Sequence, residues 1–157
     1  MAPTLDGVRI AFAADDENET TRAVVAYLTD RGDQVLTVGG SAAWPDLGAA
    51  VGRAVVDGSA DVGVVMCWTG TGTAIAANKV PGVRAALAWD RWIAEGARLW
   101  NDANVLAMSL KRLAPDVAVE VTRAFLETST VDEDEAPNIA RLGELDQRPH
   151  GVEPQGS

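Results

Sequence analysis

The sequence predicts a doubly wound α/β fold, with a five-stranded parallel sheet between two layers of helices. Three observations carry this expectation. Five short runs are apolar without interruption, the pattern of strands covered on both faces. Amphipathic segments alternate with them in units of about 25 residues, as strand–helix crossovers require. The chain of 157 residues is also the size of one domain, which on folding buries roughly 70% of the surface an extended chain exposes.

The elements follow in order. Residues 8–14 (VRIAFAA) form a first strand, and 20–31 a helix that stops at Gly32. Residues 34–38 are a short second strand. A helix spans 45–56, with Pro45 in the first turn, where its missing N–H costs nothing. Residues 61–67 are a third strand, ending on the only cysteine in the chain, Cys67. A short helix, 71–78, starts directly from the glycine loop after it. Residues 83–89 form a fourth strand, 90–99 a helix, 104–109 a fifth strand and 115–127 a further helix. Residues 1–128 thus read as one α/β domain. From about Ser129 the composition changes. An acidic block, Asp132-Glu133-Asp134-Glu135, reads as a solvated segment and is followed by Pro137, Pro149 and Pro154. Residues 138–146 can form a short helix, so 129–147 reads as a C-terminal arm. The last ten residues, 148–157, read as a disordered tail.

Composition narrows the function. Apolar residues make up 47% and charged residues 23%, ordinary for a globular protein. The formal net charge of −10 argues against a nucleic-acid or anionic-membrane surface, because phosphates attract clustered Lys and Arg. A single cysteine forms no internal disulfide, which points to a reducing cytoplasm. There is no apolar run of the ~18 residues that a membrane span needs. The start, MAPTLDGVRI, has no charged segment leading into an apolar one, so no signal peptide is expected. The only histidine is His150, in the tail, so histidine acid–base chemistry is not expected from the folded body.

In open parallel sheets ligands bind beyond the carboxyl ends of the strands. Three stretches are candidates for that crevice: Asp15-Asp16, the loop from Cys67 through Trp68, Thr69, Gly70 and Thr71 to Gly72, and Trp100-Asn101-Asp102. The glycines let backbone amides of the loop point inward, and the helix that follows adds its dipole, which together favour an anion and a thiolate. The loop lacks the Lys-Ser/Thr end of a phosphate-binding P-loop and is not a full dinucleotide fingerprint. Taken alone, Cys67 reads equally as a small buried apolar residue.

The longer pattern is more specific. Residues 67–87, CWTGTGTAIAANKVPGVRAAL, resemble the signature of the type B ribose-5-phosphate isomerases and galactose-6-phosphate isomerase subunits, usually close to CGTGxGxxIAANKxxGIRAA. Residues 101–107, NDANVLA, resemble that family's HNDANVLA. Residues 9–16, RIAFAADD, are similar to its IAxGxDH, and Trp44-Pro45-Asp46 to its Tyr-Pro-Asp. The resemblance covers residues 8–128 and extends more loosely to 145. It implies a flavodoxin-like three-layer sandwich and a homodimer, or a pair of dimers, with active sites shared between subunits. It also implies aldose–ketose isomerisation with no cofactor and no metal. In this resemblance Cys67 is the base that removes the proton next to the sugar carbonyl, and Thr69 handles the neighbouring hydroxyl proton. The amides of residues 68–72 hold the enediolate oxygen, and Asp15 and Asn101 contact sugar oxygens.

The chain departs from the family form at the groups that recognise substrate. Trp100 stands where the family has the histidine held to open the sugar ring. Asp16 stands where it has a histidine that meets phosphate. The arginine after the fifth strand corresponds to Lys111 or Arg112. Of two C-terminal arginines, one falls at Pro137 and the other at Arg141. Phosphate binding needs convergent cations, and a carboxylate facing a phosphate costs several kcal/mol in a poorly hydrated pocket. The expected substrate is therefore not ordinary ribose 5-phosphate. It lacks the phosphate, carries it elsewhere, or presents hydroxyls or an amine to Asp16. Trp68, Trp100 and Trp44 or Trp92 then line a more apolar pocket, unless the tryptophans are simply core. Asp16 also reads as a water-facing or helix-capping residue. Two function classes remain open at this point: an isomerase (or an epimerase using the same enediolate step), and a non-catalytic protein that binds a sugar-like ligand or a partner.

Overall fold

The computed structural model describes residues 7–147. Its five strands are β1 (Arg9–Ala14), β2 (Gln34–Thr37), β3 (Val62–Cys67), β4 (Ala85–Leu87) and β5 (Val105–Ser109). The helices are α1 (Glu19–Asp30), α2 (Trp44–Val56), α3 (Thr71–Asn78), α4 (Arg91–Asn101), α5 (Pro115–Glu127) and α6 (Ala136–Asp146). All strand pairs are parallel, in the order β2-β1-β3-β5-β4. The α/β sandwich is as expected, but its last two strands are exchanged relative to the flavodoxin order 2-1-3-4-5. The exchange moves α4 across the sheet. Helices α2 and α3 pack together on one face, and α1, α5 and α4 on the other.

Side-chain size differs between the faces. Ile10, Phe12, Val64, Met66, Leu106 and Met108 point toward α1, α4 and α5. Ala11, Ala13, Val65, Val105 and Ala107 point toward α2 and α3. The smaller residues let α2 and α3 sit close. A Cβ on Gly63 would run into the Val51 side chain, and one on Gly48 of α2 would lie 2.7 Å from the Thr73 carbonyl oxygen of α3. Helix α3, which carries the glycine loop at its start, is thus fixed from behind by a glycine contact.

Several boundaries differ from expectation, each for a local reason. Strand β4 is three residues long rather than seven, because it lies at the sheet edge and pairs only with β5. Asn18, not Asp16, caps α1: its side chain accepts from the Thr21 N–H at 3.0 Å, and Thr21 Oγ1 accepts from the Asn18 N–H at 2.9 Å. Helix α4 runs through Trp100 and Asn101 and ends on Asp102 in the left-handed region, φ 49°. The arm forms a 3₁₀ turn, Glu133–Glu135, then α6. It touches its own chain through Asp132 N–H to the Leu99 carbonyl, 2.7 Å, and through Asp146, which accepts from the Gly82 N–H at 2.8 Å. Residues 148–157, with His150, and residues 1–6 lie outside the described residues. No described helix is long and apolar enough to cross a membrane.

Gly48→Ala should force α2 and α3 apart. The expected result is a loss of about 1–3 kcal/mol in urea denaturation, accompanied by altered reactivity of Cys67 toward a thiol reagent, since Thr73 moves with α3.

Candidate active site

The exchange of faces creates the site. Strand β1 leads into α1 on one face and β3 into α3 on the other, so the chain diverges and leaves a crevice at the carboxyl ends of these neighbours. Asp15 extends β1 by one rung, its N–H donating to the Met66 carbonyl at 3.2 Å. Cys67 is the last residue of β3. Together with Trp44, Trp68, Thr69, Thr71 and Gly72 they line a cleft of about 380 Å³.

Cys67 is 5% exposed, and its sulfur is hydrogen-bonded rather than packed only against apolar groups. Its sulfur accepts from the Gly70 N–H at 3.2 Å and from the Thr73 hydroxyl at 3.3 Å. Gly70 has φ 79°, and a Cβ there would sit 2.7 Å from the Met108 carbonyl carbon and 2.6 Å from Leu87. Only glycine turns here, and the turn aims its own amide at the thiol. Thr69 Oγ1 lies 2.7 Å from Thr71 Oγ1 and accepts from the Thr71 N–H at 3.3 Å. The amides of Gly72 and Thr73, in the first turn of α3, have no partner among the described residues. The loop therefore offers a thiol, two hydroxyls and unpaired amides at a helix start.

The neighbouring carboxylates behave differently. Burial, and then the negative charge of Asp16, push the Asp15 carboxyl above its ordinary value. Asp16 Oδ1 accepts from the Glu17 N–H at 2.9 Å, and its Oδ2 accepts from the Trp68 indole N–H at 3.3 Å. The Lys111 ammonium lies 4.6 Å from the Trp68 ring centroid. Trp68 thus meets both Asp16 and Lys111 across the ends of β1, β3 and β5.

Trp100 and Asn101 do not join this group. They were expected at the carboxyl-end crevice, and that placement is corrected. A crossover helix returns the chain to the amino ends of the strands, so residues just before β5 lie at the opposite edge. There they line a larger groove of about 790 Å³ with Trp92, β4 and α6. Trp100 lies over Gly96, where a Cβ would come 2.6 Å from its ring, and meets Trp92 edge-on at 5.5 Å. Arg141, on α6, pairs with Glu144 and is likewise away from Cys67 in the same chain. None of the five tryptophans is core: the least exposed, Trp100, shows 37% of its surface. Among the described residues no group of three or more His, Cys, Asp or Glu is placed to hold a metal ion.

Residues 10–142 match the ribose/galactose isomerase family. The chain belongs to that family. It is similar to a D-erythrulose-4-phosphate isomerase of Pectobacterium atrosepticum, 31% identical over 140 residues, which is 85% of this chain and 92% of that protein. It is similar to ribose-5-phosphate isomerase B of Escherichia coli, 33% identical over 123 residues, 75% of this chain and 83% of the other. Among solved structures, ribose-5-phosphate isomerase B of Clostridium thermocellum superposes with a TM-score of 0.83 at 33% identity, covering 88% of this chain and 97% of that one. The family is one of sugar-phosphate isomerases.

Within this family frame, two supporting residues escaped the reading of the sequence. Thr73 donates to the Cys67 sulfur from the first turn of α3. It lies within the 67–87 block, but nothing in the spacing marks a threonine six residues on as a thiol partner. Ser109, the register partner of Cys67, donates to the Trp68 carbonyl and accepts from the Arg112 N–H at 2.9 Å. It reads in the sequence as the polar end of a strand.

Asp16→Asn removes one of the two effects that raise Asp15. The Asp15 carboxyl should then titrate at lower pH, yet not return fully to the ordinary carboxylate range, because its burial persists. A pH series of carboxyl carbon shifts by NMR reads this directly.

Proposed function

We propose that the protein is a cofactor-independent aldose–ketose isomerase working through an enediolate, on a sugar or sugar phosphate other than ordinary ribose 5-phosphate. The observation that carries the proposal is the sulfur of Cys67 at a strand end, held by two donors, at the wall of a cleft that the first residues of α3 also line. As a thiolate, Cys67 would take the proton from the carbon next to the carbonyl. The electron pair of that C–H bond would form the carbon–carbon double bond, while the carbonyl oxygen gains the negative charge. Amides at the start of α3 would receive that charge, where each such donor can be worth roughly 10²–10³ in rate. Thr69 would move the proton between the two oxygens, and the Cys67 thiol would return its proton to the neighbouring carbon. An epimerisation would use the same first step, with a proton then delivered to the opposite face of the same carbon.

Substrate choice is the second part of the proposal. No histidine lies among the described residues, so no described group around Cys67 is an imidazole to open a sugar ring. The similarity to D-erythrulose-4-phosphate isomerases, including one of Mycolicibacterium smegmatis that is 36% identical over 121 residues, fits this point. A four-carbon sugar whose terminal hydroxyl is esterified has no oxygen left to close a five-membered ring. A substrate of that kind needs no ring-opening acid.

The third part is a homodimer. Exposed Ile75, Trp89, Trp92, Leu142 and Leu145 flank the β4 edge, an apolar surface that a second copy would cover. Such a copy would also supply the Trp100 and Asn101 end of its α4, and the Arg141 arm, to the Cys67 cleft. Sedimentation equilibrium should then give twice the chain mass of 16.4 kDa, and Trp92→Asp should shift it toward monomer.

The catalytic test is deuterium wash-in from solvent into tetrose and pentose phosphates, unphosphorylated sugars and sugar acids. Cys67→Ala should lower exchange by about 10²–10⁴-fold. Exchange that survives the substitution would remove Cys67 as base. No exchange by the intact protein with any candidate would favour the alternative, a non-catalytic protein that binds a sugar-like ligand on the same fold.

A further inference from the structure

We infer that Trp68 sets the length of sugar chain admitted to the Cys67 cleft, favouring acyclic three- and four-carbon hydroxycarbonyl substrates over five- and six-carbon ones. This deepens the isomerase reading and rests on it. Two indoles wall the cleft. Trp44 is packed so closely on Gly72 that a Cβ there would lie 2.9 Å from its ring. Trp68 lines the same cleft and begins one residue from the thiol.

Trp68 is 58% exposed, yet it is tied at both ends of the β1-β3-β5 row. Its N–H reaches the Asp16 carboxylate at 3.3 Å, and Lys111 sits 4.6 Å from its ring centroid. Its own carbonyl accepts from Ser109. Asp16 and Lys111 touch the indole without lining the Cys67 cleft. The ring therefore stands as a partition between the thiol and the one ammonium on its far side. A substrate held at the Cys67 sulfur that extends past β3 toward β5 meets the Trp68 ring before Lys111. In the single chain, before a second copy adds its walls, the cleft of about 380 Å³ is at the small end of ligand sites, which run from roughly 300 to 1,000 Å³. Asp16 and Lys111 act here as positioning residues: one orients the indole edge and the other holds its face. Without the indole, the cleft would open toward Lys111, and a phosphate on a longer chain would find a cation.

The test uses the full chain with Trp68→Gly, Trp68→Phe and the double variant Trp68→Gly/Lys111→Met. Isothermal titration measures Kd for phosphorylated hydroxamates of four and five carbons, and deuterium wash-in is followed in parallel with the matching ketose phosphates. The intact protein should bind the four-carbon mimic more tightly. Trp68→Gly should move the ratio of the two Kd values toward five carbons by about tenfold or more, the scale of one chain unit in a fitted pocket. Trp68→Phe keeps an aromatic wall without a donor to Asp16 and should fall between. The double variant should lose the five-carbon gain. The inference is overturned if Trp68→Gly and Trp68→Phe leave the ratio within about twofold of the intact protein, if the intact protein prefers the five-carbon mimic, or if it binds neither. A ratio that shifts while no variant exchanges deuterium removes the isomerase reading and keeps Trp68 as the wall. Exchange with an unmoved ratio does the reverse.

Discussion

The turn at Gly70 is the constraint on which the site depends. Strand β3 must pass into α3 within three residues, under Leu87 of β4 and against the Met108 backbone of β5. There is no space for a side chain, and the backbone must adopt φ 79°. Once that turn is made, three consequences follow together. The Gly70 N–H points at the Cys67 sulfur, the Thr73 hydroxyl reaches the same atom from the first turn of α3, and the first residues of α3 line the cleft. The close fit of α2 on α3 through Gly48 keeps the arrangement from relaxing.

Strand order decides what surrounds that turn. Because β5 rather than β4 lies beside β3, the loops after β1 and β5 both lead to the α1 and α5 face, while the loop after β3 leads to the other. Cys67 thus has a diverging chain on each side. Asp15 and Asp16 come from one neighbour and Lys111 from the other. Trp68 lies across the gap, joined to Asp16 by a hydrogen bond and to Lys111 through its ring face. The same topology places the end of α4, with Trp100 and Asn101, at the far edge of the sheet. A single chain thus holds the thiol and the Trp100–Asn101 pair apart.

Much of this was legible in order along the chain. The buried strands show as unbroken apolar runs, and α2 and α5 announce themselves by Pro45 and Pro115 in their first turns. The 67–87 block marks the loop and the family. What was not legible involves partners distant in sequence. Asp16 reads as a charge facing ligand or water, yet one of its oxygens is held by an indole fifty-two residues away. Asn18 takes the cap because its side chain, not that of Asp16, meets the Thr21 amide. The tryptophans read equally as core or pocket. All five are exposed, and Trp100 finds its seat over Gly96 on the surface of α4.

By itself the sequence determined the elements, the parallel sheet, the thiol at the end of β3 and the glycines that follow it. Those depend on periodicity and on local backbone freedom, which neighbouring residues carry. Only the tertiary structure decided the order of β4 and β5, the removal of Trp100 and Asn101 from the Cys67 cleft of the same chain, and the seating of Trp68 between Asp16 and Lys111. Each depends on which surfaces meet after the sheet has formed. That is settled by the packing of small against large side chains and by contacts between residues dozens of positions apart, quantities that no local pattern encodes.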